Sequence, residues 1–164
     1  MKKMFRLALI LAFIFAGWSA SAEQPTNIEE SVKNIAKEFE KAKGVDCMIL
    51  EKGLRFGLVK EAFKAKFGKE FMKDVTSIVI IDYSKASSEV AETFRKRIDT
   101  FSTALQELKS EKEKSTEEGK YEKCYAKVDG TNLSDMMIIV EDKESRFYLY
   151  MGGVLDATKM ELNL

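Results

Sequence analysis

The chain has 164 residues, with 27 basic side chains, 27 acidic side chains and no histidine. Because imidazole is absent, Ser-His-Asp and Cys-His catalytic systems and histidine-ligated zinc sites are excluded. The sequence also contains no phosphate-binding glycine loop, no GxSxG nucleophile elbow and no clustered Asp/Asn calcium loop. These absences predict a protein without a catalytic motif, a cofactor or a metal site.

The N-terminus has the features of a secretory signal peptide. Three basic residues precede an apolar run at 7–18 that is too short to span a bilayer, and Ala20 and Ala22 occupy the small-residue positions that a signal peptidase recognises. We therefore predict that residues 1–22 are cleaved and that residues 23–164 form one exported domain, periplasmic or secreted, without stable membrane insertion. The alternative is a retained N-terminal membrane anchor.

Cleavage would change the charge balance, because the signal peptide contains three basic residues and no acidic ones. The mature chain keeps 24 basic and 27 acidic side chains among 142 residues. A chain of this length can bury one core. Its mildly acidic balance gives no electrostatic basis for binding nucleic acid.

The first half of the mature chain alternates helical and strand patterns. Apolar residues recur every three or four positions over 28–39, with Thr26 or Asn27 as the N-cap and Gly44 just past the end, which predicts an amphipathic helix. The short apolar run at 45–51 predicts a buried strand.

Three longer elements follow. A second helix is predicted at 54–67 and ends at Gly68, since four apolar residues share one face. Residues 75–83 are β-branched and continuous, which is typical of a central strand covered on both faces. The longest helix is predicted at 86–109, with an apolar stripe that continues to Leu108.

The C-terminal part is predicted to be a strand meander. After a charged surface connection at 110–120, residues 123–128 alternate with a period of two, which predicts a strand with one wet face. A turn at 129–132 and a polar loop at 142–145 separate two further strands, and Asp156 is placed to cap a short terminal helix. The element order predicts an α+β two-layer sandwich, in which a mixed sheet has a C-terminal antiparallel meander and helices pack mainly on one face.

Two cysteines in an exported domain indicate a possible disulfide. Cys47 and Cys124 both belong to predicted core-facing strand positions. They can bond only if their strands are neighbours, with Cα atoms within about 7 Å. The alternative is two separate buried thiols that act as small apolar side chains.

Two further groups admit a ligand. Met136 and Met137 are consecutive in a predicted strand, so their side chains leave opposite faces and cannot share one ion, although one of them could join Met151 or a cysteine. The alternative is methionine as adaptable core filler.

Residues 52–73 have an excess of Lys and Arg, which suits an anionic partner such as a lipid head group or an acidic glycan. The alternative is the solvated flank of an amphipathic helix.

Three segments carry a family resemblance: "LSDMMIIVEDKESRFYLYMGGVLD" at 133–156, "FEKAKGVDCMILEKGL" at 39–54 and "VTSIVIIDYS" at 75–84. Together they resemble the small exported bacterial proteins grouped as domain of unknown function family 4252, over essentially the whole mature chain. The resemblance implies an envelope location in a Gram-negative bacterium. The family has no assigned activity, so no catalytic residue is carried over. The two cysteines and the lack of a lipid-attachment cysteine depart from it.

The functional prediction is a non-enzymatic exported protein that binds an envelope protein or a small ligand, or senses the state of the envelope. Tyr125, Tyr148 and Tyr150 lie on strand positions that the alternation predicts to be exposed, and tyrosine is common at interfaces. They are the predicted interaction surface. The alternatives are a histidine-free hydrolase that uses paired carboxylates, and a carrier of a small ligand or soft metal.

Overall fold

The computed structural model describes residues 27–108 and 121–159. The predicted signal peptide, the charged connection at 110–120 and the last residues of the chain lie outside the described residues. In the described part the elements follow in this order: α1 (Ile28–Phe39), β1 (Asp46–Leu50), α2 (Leu54–Phe67), β2 (Val75–Asp82), α3 (Ser88–Ser102), β3 (Gln106–Glu107), β4 (Tyr121–Asp129), β5 (Asn132–Glu141), β6 (Arg146–Asp156) and a 3-10 turn (Ala157–Lys159).

The strands form one six-stranded sheet in the order β1-β2-β6-β5-β4-β3. This confirms the predicted α+β class and the C-terminal meander, since β4, β5 and β6 are consecutive antiparallel neighbours. One detail of the prediction differs, because every pairing is antiparallel and the sheet is not mixed. A mixed sheet would need at least one parallel pair of strands. Instead α2 and the turns at 68–74 return the chain so that β2 runs back along β1.

Alternate strand residues enter two separate cores, one on each face of the sheet. The tyrosine face carries Val79, Tyr148 and Tyr150 and packs against α1 and α3. The opposite methionine face carries Met136 and Met151 and packs against the last turns of α2. Helices therefore lie mainly on one face, as predicted, and α2 covers part of the other. No helix in the described residues is both long and apolar enough to span a membrane.

Local signals fix the ends of the first two helices. The Asn27 side chain accepts a hydrogen bond from the Glu30 backbone N–H at 3.1 Å, so it is the N-cap of α1. Gly68 has a φ of 98° and follows the last residue of α2. The predicted bounds 28–39 and 54–67 are both confirmed.

The third helix is shorter than predicted. It ends at Ser102, and the chain then forms the two-residue strand β3 on the edge of β4. The Leu108 backbone N–H donates to the Cys124 carbonyl at 2.8 Å, so a strand neighbour supplies the hydrogen bonds that a longer helix would have made internally. The prediction of one helix over 86–109 is therefore wrong beyond residue 102.

Two strand assignments also need correction. The strand predicted as buried, β1, is an edge strand, and Met48 is 44% exposed. The predicted central strand, β2, is covered on both faces but lies second from that edge.

Candidate functional site

The predicted tyrosine surface is buried. Tyr125, Tyr148 and Tyr150 are 7%, 0% and 0% exposed. They belong to the core beneath α1 and α3, because those helices cross the face that the alternation had marked as wet. The predicted exposed interaction surface is therefore wrong, and so is the wet face of β4 around Tyr125.

Two of the buried tyrosines donate to carboxylates at opposite ends of the tyrosine face. The Tyr150 hydroxyl donates to Asp135 at 2.6 Å, and the Tyr83 hydroxyl donates to Glu141 at 2.6 Å. Burial, strengthened by these hydrogen bonds, raises the pKa of both phenols above the ordinary value. Asp135 is the bulged residue of β5 and has a φ of 49°, so its backbone is strained in order to place that carboxylate.

Two further hydroxyls on this face have no hydrogen-bond partner within the described part of the chain. They belong to Ser77 and Tyr148, and both side chains are buried. The Tyr148 ring packs edge-on against Phe94 with 5.6 Å between centroids. Ser77 pairs across the sheet with Gly152, where a Cβ would overlap the serine hydroxyl. These side chains are part of the closely packed interior and do not present a binding surface.

The two cysteines are not bonded. Cys47 lies on β1 and Cys124 on β4, with three strands between them, and their side chains join cores on opposite faces. A disulfide is geometrically impossible in this arrangement. The alternative of separate thiols is the one observed. Burial raises the pKa of Cys47 to about 11 and that of Cys124 further, so both thiols are poor nucleophiles near neutral pH.

The methionines behave as strand geometry requires. Met136 pairs with Met151 on one face, while Met137 lies in the core of the other face. The predicted separation of the two consecutive side chains is confirmed. Among residues 27–108 and 121–159, no group of three His, Cys, Asp or Glu side chains is placed to hold a metal ion.

A concave site lies on the outer side of the tyrosine face, between the end of α1 and the start of α3. This α1–α3 groove has a volume of about 410 Å³, which is within the range of small-molecule sites. Apolar side chains and two carboxylates line it together with a hydroxyl: Phe39, Ala42, Val90, Glu38, Glu89 and Thr93.

Contacts between the two helices fix their relative position beside the groove. Phe39 and Phe94 pack edge to face with 5.3 Å between centroids, which fixes the floor. Arg97 donates two hydrogen bonds to the Glu38 carboxylate, at 3.0 and 3.3 Å, and links α3 to α1 at the rim. Glu89 is exposed and forms no ion pair among the described residues. The rim therefore combines one carboxylate that is paired with Arg97 and one, in the first turn of α3, that has no ion-pair partner among the described residues.

No pattern in the sequence indicates this groove. Val90 and Phe39 were assigned to the core stripes of their helices, and Glu38 and Glu89 were indistinguishable from other solvated acids. The groove exists because α1 and α3, which are distant in sequence, lie side by side on one sheet face. Helical periodicity reports which face of a helix is apolar and does not report which helix becomes its neighbour.

Comparison with protein-family models, with curated proteins and with solved structures finds no match to this chain. The likeness to domain of unknown function family 4252 thus stays a prediction that rests on the three quoted segments.

Proposed function

We propose that this is an exported, non-enzymatic binding protein of the Gram-negative envelope, and that the α1–α3 groove is its binding site. The observation that carries the proposal is the combination of an apolar floor and an acidic rim in one concave site. The envelope location rests on the signal-peptide pattern and on the resemblance to family 4252.

The lining selects a small amphipathic cation. An apolar group of the ligand would pack on Phe39, Ala42 and Val90, and its positive charge would lie beside Glu89. Glu38 already accepts two hydrogen bonds from Arg97, so Glu89 is the carboxylate available to the ligand. A primary amine with an alkyl chain, or a basic side chain of an envelope peptide, has this chemistry.

The rival prediction of a carboxylate-based hydrolase is less well supported. Such an enzyme needs one desolvated acid and one ionised carboxylate close to the reacting bond. Glu38 and Glu89 do line one groove, but both are exposed to solvent and Glu38 is bound by Arg97. This environment favours recognition of a charge over proton transfer.

Titration with n-hexylammonium tests the proposal. Backbone amide resonances of the uniformly 15N-labelled protein at the end of α1 and the start of α3 should shift, with a Kd on the order of millimolar for so small a ligand. Hexanoate and hexanol serve as charge controls of equal chain length. Equal shifts with hexanoate would contradict the role of the acidic rim, and no shifts in the groove would contradict the site.

Two pairs of variants localise the effect. Thr93→Trp fills the groove and should abolish the shifts, whereas Glu92→Trp adds the same side chain at a position on α3 that does not line it. Glu89→Gln should weaken binding several-fold, while Glu92→Gln removes a neighbouring charge and should leave the affinity unchanged. Loss of binding in both members of a pair would refute the assignment.

A further inference from the structure

Helix α2 has apolar residues on two sides, and the fold covers only one of them. Phe63 and Phe67 are buried in the core of the methionine face. Leu54 and Leu58 point away from that core and are 81% and 63% exposed. They are one helical turn apart and therefore lie side by side, and the exposed Ala62 continues the strip by another turn. We call these three residues the outer strip.

Basic residues are in excess along the segment that carries the outer strip. Residues 52–73 contain seven basic and two acidic side chains. Lys52, Arg55 and Lys69 are exposed. Of the two acids, Glu61 is paired with Lys64 at 2.5 Å. The surface beside the leucines is therefore cationic, although the mature chain as a whole is mildly acidic.

One lysine of the segment does not contribute to this surface. The Lys60 ammonium donates to the backbone carbonyls of Lys73 and Val75, both at 2.8 Å. It thereby ties α2 to the start of β2. The outer strip is consequently presented by a helix that is fixed to the sheet.

We propose that α2 binds reversibly to the surface of an anionic phospholipid bilayer. Leu54 and Leu58 enter the boundary between head groups and acyl chains, and Lys52, Arg55 and Lys69 contact the lipid phosphates. Exposed leucines beside Lys and Arg on one helix are the side chains that an interfacial helix presents to an anionic bilayer. A second copy of the chain fits less well, because contact through α2 would bring two basic segments together.

Vesicle flotation of the protein purified after export tests the proposal. It should float with vesicles that contain phosphatidylglycerol and remain in solution with phosphatidylcholine alone, and ~0.5 M salt should release it because that concentration screens the surface charge. Equal binding to both kinds of vesicle, or binding that salt does not affect, would overturn the proposed contact between the basic side chains and the lipid phosphates. Absence of binding to either would overturn the proposal.

Variants assign the binding to α2. The double substitution Leu54→Ser and Leu58→Ser should lower the partition coefficient by roughly tenfold or more, since two apolar side chains no longer leave water. Arg55→Gln should lower it about fivefold. Val154→Ser is the matched control, because Val154 is 50% exposed but lies away from α2, on β6, and it should bind as the wild type does. Unchanged binding by the leucine variant would overturn the assignment.

Two measurements accompany the flotation. Circular dichroism of the leucine variant should match that of the wild type, since both side chains are largely exposed. Sedimentation equilibrium measures self-association. A concentration-dependent dimer that the two serine substitutions abolish would show that the outer strip is an interface between copies and would overturn the bilayer proposal.

Discussion

Three buried phenols make the stability of this protein sensitive to alkaline pH. Tyr83, Tyr148 and Tyr150 are at most 1% exposed. Burial raises the pKa of all three above the ordinary value of 10.0. In the unfolded chain the same phenols ionise near pH 10. Above that pH the unfolded state binds fewer protons than the folded state, so the free energy of unfolding decreases as pH rises.

The size of the effect follows from the linkage relation. Each tyrosine that stays neutral in the folded state removes about 1.4 kcal/mol of stability per pH unit above pH 10. Three such groups together remove on the order of 4 kcal/mol at about pH 11. Because a domain of this size typically has only about 5–15 kcal/mol of stability, this loss is large. The contribution is fully present below pH 10.

Urea unfolding followed by circular dichroism between pH 8 and pH 11 measures the loss. The half-buried thiol of Cys47 and the buried thiol of Cys124 also have raised pKa values, so they lower the free energy of unfolding at high pH in the same direction. The tyrosine part is therefore isolated with Tyr148→Phe. This variant should recover about 1.4 kcal/mol at pH 11. At pH 7 it should be at least as stable as the wild type, because the hydroxyl has no partner among the described residues.

Tyrosinate absorbance measured against pH reports whether the phenols ionise in the folded protein, and it can refute the reasoning from burial. If all five tyrosines ionise near pH 10 while circular dichroism remains that of the native protein, the three buried phenols are accessible in the folded state and the reasoning from burial fails. Tyr150→Phe provides the contrast to Tyr148→Phe. It removes the donor to Asp135 and should destabilise the protein at pH 7 by about 1–2 kcal/mol.

Gly153→Ala should lower the free energy of unfolding by about 3 kcal/mol or more, because φ is 99° and a Cβ would overlap the carbonyl oxygen of Asp74. Thermal denaturation measures the change, and Gly57→Ala is the control. A Cβ at this position meets no atom within 4 Å, so the substitution should raise the free energy of unfolding by about 1 kcal/mol because Gly57 lies inside a helix. Alkylation in denaturant, followed by mass spectrometry, should find free thiols at both Cys47 and Cys124 without added reductant, and a bridge between them would contradict the strand order.

Sequence patterns located the elements whose boundaries are set locally. Asn27 caps α1 through its own side chain, and Gly68 ends α2 through its own backbone conformation, so both ends are visible in the sequence. The end of α3 is set differently. The apolar stripe continues to Leu108, but the backbone there bonds to β4, which is a distant segment of the chain. The periodicity of a local segment does not indicate whether its backbone continues a helix or pairs with a distant strand.

The tyrosines illustrate a second limit. Alternation correctly separated the two faces of β6, with Tyr148 and Tyr150 on one side and Leu149 and Met151 on the other. It does not say which face is covered. The prediction of exposure rests on the alternation and on the frequency of tyrosine at interfaces. Asp135 supplies a partner for the Tyr150 hydroxyl inside the protein, so a polar tip is compatible with complete burial.

Helix α2 was predicted with the right core face, yet its outer leucines were not identified. Two sets of apolar residues in α2 have helical spacing. The phenylalanines form the core stripe, and Leu54 and Leu58 have the same spacing on the other side, so periodicity alone does not distinguish the buried set from the exposed one. The excess of Lys and Arg over 52–73 was the only sequence signal that pointed to this surface.

The two proposed sites lie on opposite sides of the sheet, and this has a consequence for how they act together. Binding of α2 to a bilayer would place the methionine face toward the lipid and the α1–α3 groove toward the water. Each helical layer lies about 10 Å from the sheet, so the two layers are separated by roughly 20 Å.

This separation exceeds the Debye length of about 8 Å at physiological salt. The field of the bilayer is therefore largely screened by salt at Glu89. We expect the leucine double variant to bind n-hexylammonium as the wild type does, and Thr93→Trp to bind vesicles as the wild type does. A change in either cross-measurement would mean that the two faces are coupled through the sheet.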